Sequence, residues 1–519
     1  MNPVLRNFIL AAAVAAVLAI GLLWFHYMPD DAYIGMRYAV NLSGGEGLVF
    51  NPGERVEGYT NFLWVIILAA AAEAQIPLVP GARILSLIFA VGTLLLAWRM
   101  CDTVIPAGGK KTAGPGVAAA APLILAASAP FVTWALSGTE IPLFTFLLTA
   151  GMLLLTSGRG PRPVFALFAL LTLVRPEGVA YYVLAAVLLI ARGEKPRKVA
   201  AEGLIIAAML LAPYLAWKIS YCGGIQPNTF YAKTGAPAIQ LRNGIAYTLR
   251  FAAWYAWLPA AAVIFLRAGR ERGARQAGEF GRMTVPLSVI CLNWIIVAVL
   301  GGDWMLMYRL LVPGLPAIAV MAAASIPSAA ALQQAGNRDR TGRQGRNVSW
   351  QSAALTLIFA CVAMAPGSSG YGGFERERLA VRAFGWVGEI LGESLPPGTS
   401  LGCGSTGAIG FYSGLQIVDI LGLTEPEIAR NGKIVADQPG HMKTLGSHVL
   451  DRKPDLLLLG NIQVHRGRRQ EDLGRIKIQE KDIILDPRFN AEYVFTNLPM
   501  GGGFFLSCYR RSGSSAFSE

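Results

Sequence analysis

Apolar runs alternate with short polar segments through the first 367 residues. The runs fall at 8–27, 61–78, 83–98, 116–136, 141–156, 163–174, 178–191, 203–217, 251–266, 284–300, 310–330 and 350–365. A bilayer core takes about 20 apolar residues per helix, so this recurrence predicts a polytopic α-helical membrane protein. The first run follows Arg6 and is long for a signal peptide, and many more follow it, so it reads as a span. After about Pro366 the pattern changes. Helical periodicity over 374–393 stops before the turn Pro396-Pro397-Gly398, and 400–403, 416–420, 456–459, 493–496 and 504–508 read as short strands. The chain therefore reads as a helical membrane domain, 1–367, followed by a soluble α/β domain, 368–519. Within the first, 28–60 is an outer loop and 61–78 a juxtamembrane or re-entrant helix.

Composition and charge sharpen this. Of 519 residues, 54% are hydrophobic and 15% charged, against about 25% charged in soluble proteins, and mean hydropathy is +0.47. Six cysteines are too few for a secreted disulfide scaffold, and the pattern excludes a disordered chain or a coiled coil. The net charge of +13 is not a nucleic-acid footprint. From Tyr371 onward 17 Lys/Arg balance 17 Asp/Glu, so the excess lies in the short segments between apolar runs. There it encodes orientation, because Lys and Arg stay cytoplasmic. If every run crossed, the cluster Arg99/Lys110/Lys111 would land outside. If 61–78 stays at the outer interface, that cluster falls inside. So do Arg159/Arg162, Arg192/Lys195/Arg197/Lys198, Arg267/Arg270/Arg272/Arg275/Arg282 and Arg338/Arg340/Arg343/Arg346. Glu73 near the end of 61–78 adds to the cost of a full crossing. The result is about eleven spans, with the N-terminus cytoplasmic and the C-terminal domain extracytoplasmic.

The cytoplasmic loops are short and carry Gly and Arg with little else, so chemistry belongs to the outer segments. At the outer end of the first span stands Pro29-Asp30-Asp31-Ala32-Tyr33. Adjacent carboxylates at a membrane surface are costly unless solvated, paired or used. The pair is either an interfacial stop or a functional one. In the second case one carboxylate accepts a proton from an attacking hydroxyl while the other orients it or holds a cation. Arg37, Tyr38, Arg55, Glu57, Tyr59 and Asn61 follow in a loop rich in aromatic and amide groups, which suits sugar recognition as well as a turn-rich linker. Gly402-x-Gly404-x-x-Gly407 after a strand reads as a tight strand-to-helix turn, since a nicotinamide cofactor has no extracytoplasmic pool. The four histidines have no zinc spacing. A divalent cation at Asp30/Asp31 is compatible with the chemistry, but no spacing marks a metal site.

The run Asp30-Asp31-Ala32-Tyr33, Arg37-Tyr38, and Asn51-Pro52-Gly53-Glu54-Arg55-Val56-Glu57-Gly58-Tyr59-Thr60-Asn61 resembles the first outer loop of GT-C glycosyltransferases that use polyprenyl-phosphosugars. It is similar to that of the terminal arabinofuranosyltransferases (AftB type) and their Gram-negative relatives. Ser137-Gly138-Thr139-Glu140, Arg175-Pro176-Glu177-Gly178, Pro227-Asn228-Thr229-Phe230-Tyr231-Ala232-Lys233 and Gly301-Gly302-Asp303-Trp304 with Arg309 are similar too, as are Val418 to Thr424 and Gly440-His441-Met442-Lys443. The resemblance implies a bacterial inner-membrane enzyme with an outer cavity, an acidic base in the first loop and a juxtamembrane helix behind it. It also implies a lipid-linked sugar donor and a glycan or glycoprotein acceptor.

Within that frame Asp30 is the expected base and Asp31 its partner. Lys233 and Arg309 are candidates for the donor phosphate, or for snorkelling. Glu140 would bond a sugar hydroxyl or start a helix, and Arg175 with Glu177 would form an ion pair at a helix break or touch ligand. Asp303 and Trp304 would bond and stack on a sugar, or sit in an aromatic belt. Asn228 and Tyr231 would line the site, and His441 would contact acceptor or lie at the surface. A transporter or flippase of lipid-linked or free sugars is the alternative, though no second half mirrors the broken helix at Arg175-Pro176. A glycan-binding scaffold would need one span only.

Overall fold

The computed structural model describes residues 3–24, 27–104, 120–254, 277–324, 371–460 and 462–517. The expected run 350–365, parts of those at 116–136, 251–266 and 310–330, and the basic residues Lys110/Lys111, Arg267/Arg270/Arg272/Arg275 and Arg338/Arg340/Arg343/Arg346 lie outside these residues. The chain divides into two compact units that do not follow a cut at 367/368. One comprises 1–27, 79–214 and 242–371, the other 28–78, 215–241 and 372–519.

The first unit is helical. Among the described residues three helices are long and apolar enough to cross a membrane, Leu78–Val104, Pro196–Cys222 and Met283–Leu300. Ile141–Thr156, Pro161–Val174 and Gly178–Ala191 are shorter apolar helices of 16, 14 and 14 residues. Proline in the first turn opens several of them, where its missing N–H costs nothing. The helices Pro161–Val174 and Gly178–Ala191 are separated by Arg175-Pro176-Glu177, the predicted break. Gly178 is required there, because a Cβ would lie 2.5 Å from the Thr172 backbone nitrogen.

The second unit joins the segment 28–78, the segment 215–241 and the α/β tail. The polar stretch after the first span contains a 14-residue helix, Asp30–Ser43, here termed the loop helix. The pattern did not reveal it because Ala32 to Ala39 are all buried, which leaves no exposed face to set a period. Behind the loop lies the interface helix, Phe62–Glu73. Twelve residues rise about 18 Å, short of the roughly 30 Å hydrocarbon core. Gln75 in the left-handed region and Pro77 end it. Trp64, Val65, Leu68 and Ala69 form its buried face, and it packs on the loop helix where Gly35 approaches Val65.

The tail begins with the helix Tyr371–Ser394, close to the expected 374–393. The strands of its six-stranded sheet are β1 (Ser400–Cys403), β2 (Gln416–Asp419), β3 (Leu456–Leu458), β4 (Gln463–Arg466), β5 (Tyr493–Pro499) and β6 (Phe504–Arg511), and Lys433–Ile434 pairs with Lys443–Thr444 in a separate small sheet. Five match the predicted strands; β4 was missed because Gln-Val-His-Arg carries one apolar residue. β1 pairs in parallel with β2 on one side and β3 on the other. β6 pairs antiparallel with β5 along one edge and with β4 and β3 along the other. Leu457, Val418, Ile428 and Phe489 fill the core, each fully buried apolar side chain contributing about 1.5–3 kcal/mol. Between β1 and β2 runs the tail helix, Gly407–Ser413.

Candidate active site

The loop helix begins at the acid pair. Pro29 precedes it in extended conformation, and Asp30 and Asp31 occupy the first turn, where the helix dipole favours carboxylates. The Asp30 carboxylate meets the tail: the Gly407 N–H donates to Oδ2 at 2.9 Å and the Ala408 N–H to Oδ1 at 2.7 Å. These are the first two amides of the tail helix. The Gly-x-Gly-x-x-Gly motif is the strand-to-helix turn expected, and its last glycine has a specific task. A Cβ at 407 would collide with the Asp30 carbonyl oxygen. Burial pushes the Asp30 carboxyl up to about 6, against the two amide bonds, with Asp31 and Asp419 adding to the rise. Asp31 is half-buried, and its charge acts on His441.

Further along the same helix face, Tyr33 packs its ring against Phe411 and Tyr412 at 5.7 and 5.6 Å. Arg37 is where expectation and structure part. Its buried guanidinium donates from Nε to the Phe50 carbonyl at 2.6 Å, and from Nη2 to Asn51 Oδ1 at 3.2 Å and the Leu415 carbonyl at 2.6 Å. Nη1 donates to the Gly410 carbonyl, and the group stacks over the Phe50 ring. It fastens loop to tail instead of binding a ligand, and burial lowers it to about 10 without discharging it near neutral pH. Tyr38 is likewise structural: its buried hydroxyl donates to the Val56 carbonyl at 2.6 Å and accepts from the Gly58 N–H at 2.8 Å. Tyr59 packs edge-on against it at 4.8 Å.

Glu57 is buried and pairs with Lys218 at 2.9 Å. Asn228 is taken up by the tail, its amide donating to the Gly422 and Leu423 carbonyls at 2.9 Å each. Tyr231 lies half-buried under the Arg430 guanidinium at 5.1 Å, and its carbonyl accepts from Lys443 at 2.9 Å. Arg55 is exposed over the Tyr221 ring at 4.9 Å. Asn61 caps the start of the interface helix by position, near Gly35. Lys233 stands beside Gly440, and its charge acts on His441. His441 is not a surface residue: burial and Lys477 hold its imidazole down to about 4. The structure thus brings Asp31, Lys233 and Lys477 within electrostatic range of His441.

In the helical unit Arg175 donates to Glu140 at 2.5 Å and also bonds Glu177. Asp303 holds Arg309 at two points, 2.6 Å to Nε and 3.2 Å to Nη2, over the Trp134 ring. Trp304 follows Asp303, half-buried in the same turn. The charges of Arg175 and Arg309 act on one another, so two cations and three carboxylates share this region. An anionic phosphate gains little from such a set, which lowers the standing of Arg309 as a phosphate ligand. Arg175 and Glu177 also line a small cavity with Tyr181 and Asn293. The turn leading to Arg309 holds Met307 and Tyr308 both in the left-handed region, a strained conformation for side chains of this size.

Sequence reasoning missed Lys218, which ends an apolar run as a snorkelling lysine would, and the tail network of Glu54, Arg452, Glu425 and His448. Among the described residues no cluster of three or more His, Cys, Asp or Glu is placed to hold a metal ion.

A helical bulk followed by an α/β tail is a fold this chain shares with solved structures. The chain shares its fold with ArnT from Cupriavidus metallidurans bound to undecaprenyl phosphate, at a TM-score of 0.56 and 11% identity over 98% of each chain. The apo crystal structure of ArnT from Cupriavidus metallidurans gives a TM-score of 0.50 over 97% of each, also at 11% identity. In sequence the chain is similar to a terminal beta-(1->2)-arabinofuranosyltransferase of Corynebacterium glutamicum, 30% identical over 363 residues. The match covers 60% of this chain and 50% of the relative, so the chain spans about half the length of the curated relative it matches. Residues 374–508 match a family described as a domain of unknown function, DUF8728. The resemblance to GT-C glycosyltransferases read from the motifs is borne out.

Proposed function

We propose that this protein is an inverting membrane glycosyltransferase. It moves a pentose, D-arabinofuranose, from a polyprenyl phosphate to a hydroxyl of a cell-envelope glycan or glycoprotein at the outer face of the inner membrane. The observation that carries this reading is the Asp30–Asp31 pair, set in the first turn of a buried helix with Asp30 tuned to about 6. A base of that strength is ionised at neutral pH yet basic enough to take a proton. The likeness to an arabinofuranosyltransferase supports the sugar, and the likeness to ArnT supports a lipid-phosphate donor.

In the reaction the acceptor oxygen attacks the anomeric carbon and the carbon–oxygen bond to phosphate breaks, its electron pair leaving with the phosphate. Asp30 takes the acceptor proton while Asp31 orients the hydroxyl. Lys233 neutralises charge as it develops on the leaving phosphate. Tyr231 offers a stacking surface, and Arg55, Tyr59 and Asn61 complete the loop side. The chain crosses the membrane about eleven times, and the interface helix lies in the outer leaflet.

Linkage analysis of envelope glycans from a deletion strain tests this. Loss of a terminal pentose, restored by the parent gene and not by Asp30→Asn or Asp31→Asn, is the expected result. An unchanged glycan profile would refute it.

A further inference from the structure

The parallel half of the tail sheet reverses its strand order at β1, which has β2 on one side and β3 on the other. In open α/β sheets the crevice beyond the carboxyl end of such a strand is where ligands bind, with anions on the amides of the following helix. Here that place is filled from within the chain. The turn after Cys403 receives the Asp30 carboxylate on the Gly407 and Ala408 amides. The other end of the tail helix is held by the same face of the loop helix: Arg37 takes the Gly410 and Leu415 carbonyls, and Tyr33 packs between on Phe411 and Tyr412. Asp30, Tyr33 and Arg37 are spaced i, i+3, i+7, one stripe of the helix. The tail helix is therefore gripped by a carboxylate at its amide end and a guanidinium at its carbonyl end, the sense its dipole favours.

We propose that the Gly404–Ala408 turn of the tail is a positioning element for the catalytic carboxylate, so that Gly407 and Ala408 fix where Asp30 points and how readily it accepts a proton. This rests on the glycosyltransferase reading, and it makes the tail part of the active site instead of a separate acceptor platform. The two amide bonds favour the ionised carboxylate and oppose its burial. The other groups that face Asp30 are Asp31 beside it, Cys403 at the end of β1 and Asp419 at the end of β2. Asp31 is in turn influenced by His441, near Lys233 and Lys477. Removing one amide N–H leaves all of these charges in place and changes only the support of one Asp30 oxygen.

Ala408→Pro removes that N–H, and proline is tolerated in the first turn of a helix, but its ring carbon also presses on Asp30 Oδ1, 2.7 Å from the nitrogen, and shifts the carboxylate. An ester in place of the 408 amide, introduced as the α-hydroxy analogue of alanine, removes the N–H without altering the side chain and serves where the proline variant does not fold. Full-length protein in nanodiscs is assayed for pentose transfer from a synthetic polyprenyl-phosphate donor across pH 5 to 9. The acid limb of kcat/KM moves up by about one pH unit, with most of the activity recovered on the alkaline plateau. A uniform fall at every pH with the limb unmoved, or no change at all, overturns the proposal while leaving the enzyme assignment intact. Full transfer by both Asp30→Asn and Asp31→Asn overturns the assignment itself.

Discussion

Arg37 offers the sharpest test of how the loop and tail are joined. Arg37→Met keeps most of the side-chain volume and deletes four hydrogen bonds. Bonds to a charged donor contribute about 1.5–3 kcal/mol each, but three of the four acceptors keep another donor. The Phe50 carbonyl still accepts from Asn41, Asn51 Oδ1 from the Ile417 N–H, and the Gly410 carbonyl from the Gly414 N–H. The variant also escapes the cost of burying a guanidinium. The net loss is therefore about 3 kcal/mol, well below the simple sum. At roughly 2–4 °C per kcal/mol for a unit of this size, the melting temperature falls by about 6–12 °C. Arg37→Lys keeps the charge but presents its donors from one nitrogen, and falls between parent and methionine variant. Tryptophan fluorescence of the full-length protein in detergent measures the transition. If Arg37→Met melts within about 1 °C of the parent and only KM rises, Arg37 touches substrate and its structural role here is wrong.

Transfer activity should be lost as pH falls through about 6, where the Asp30 carboxyl protonates, and a pH–rate profile flat to pH 5 would contradict this. Asp30 and Asp419 both titrate above their ordinary range when folded. The native state therefore holds protons that the unfolded chain has released, and their contribution to stability declines between about pH 4 and pH 6; melting temperatures across that window check the sign. Asp303→Leu leaves Arg309 without its buried carboxylate and should cost about 3–5 kcal/mol, while adding Arg309→Met recovers most of it; a thermal double-mutant cycle of these two substitutions without coupling would refute the pairing. Gln75→Cys, just beyond the interface helix, should react with an impermeant thiol reagent in intact cells while Arg197→Cys is spared, and the reverse pattern would invert the topology.

Local pattern was enough for five of the six strands of the main tail sheet, because Leu-Leu-Leu or Ile-Val runs bounded by Gly and Pro leave few alternatives. The run at 61–78 was expected to stop short of a full span, and it holds a helix of only 12 residues, Phe62–Glu73. The loop helix was not legible, since a helix buried on every side has no polar face. The acid pair announced itself by the cost of two carboxylates at a membrane surface. Arg37, Tyr38 and Asn228 looked equally fit for ligands, and nothing near them in sequence said otherwise. The Arg37 acceptors include Gly410 and Leu415, and the Asn228 acceptors Gly422 and Leu423. Such long-range pairing is a property of the fold alone. The glycine motif was read correctly as a turn, but the carboxylate it receives comes from residue 30.

In the proposed reaction this chain transfers a sugar from a lipid phosphate, with Asp30 as base and Asp31 orienting the acceptor hydroxyl. Purified full-length protein in nanodiscs, given a synthetic polyprenyl-phosphate arabinofuranose labelled in the sugar and an oligosaccharide acceptor, tests it most directly. The account predicts label in the acceptor with inverted anomeric configuration, stoichiometric release of polyprenyl phosphate, and loss of both with Asp30→Asn. Intact donor recovered after prolonged incubation, or transfer undiminished in both Asp30→Asn and Asp31→Asn, would contradict it.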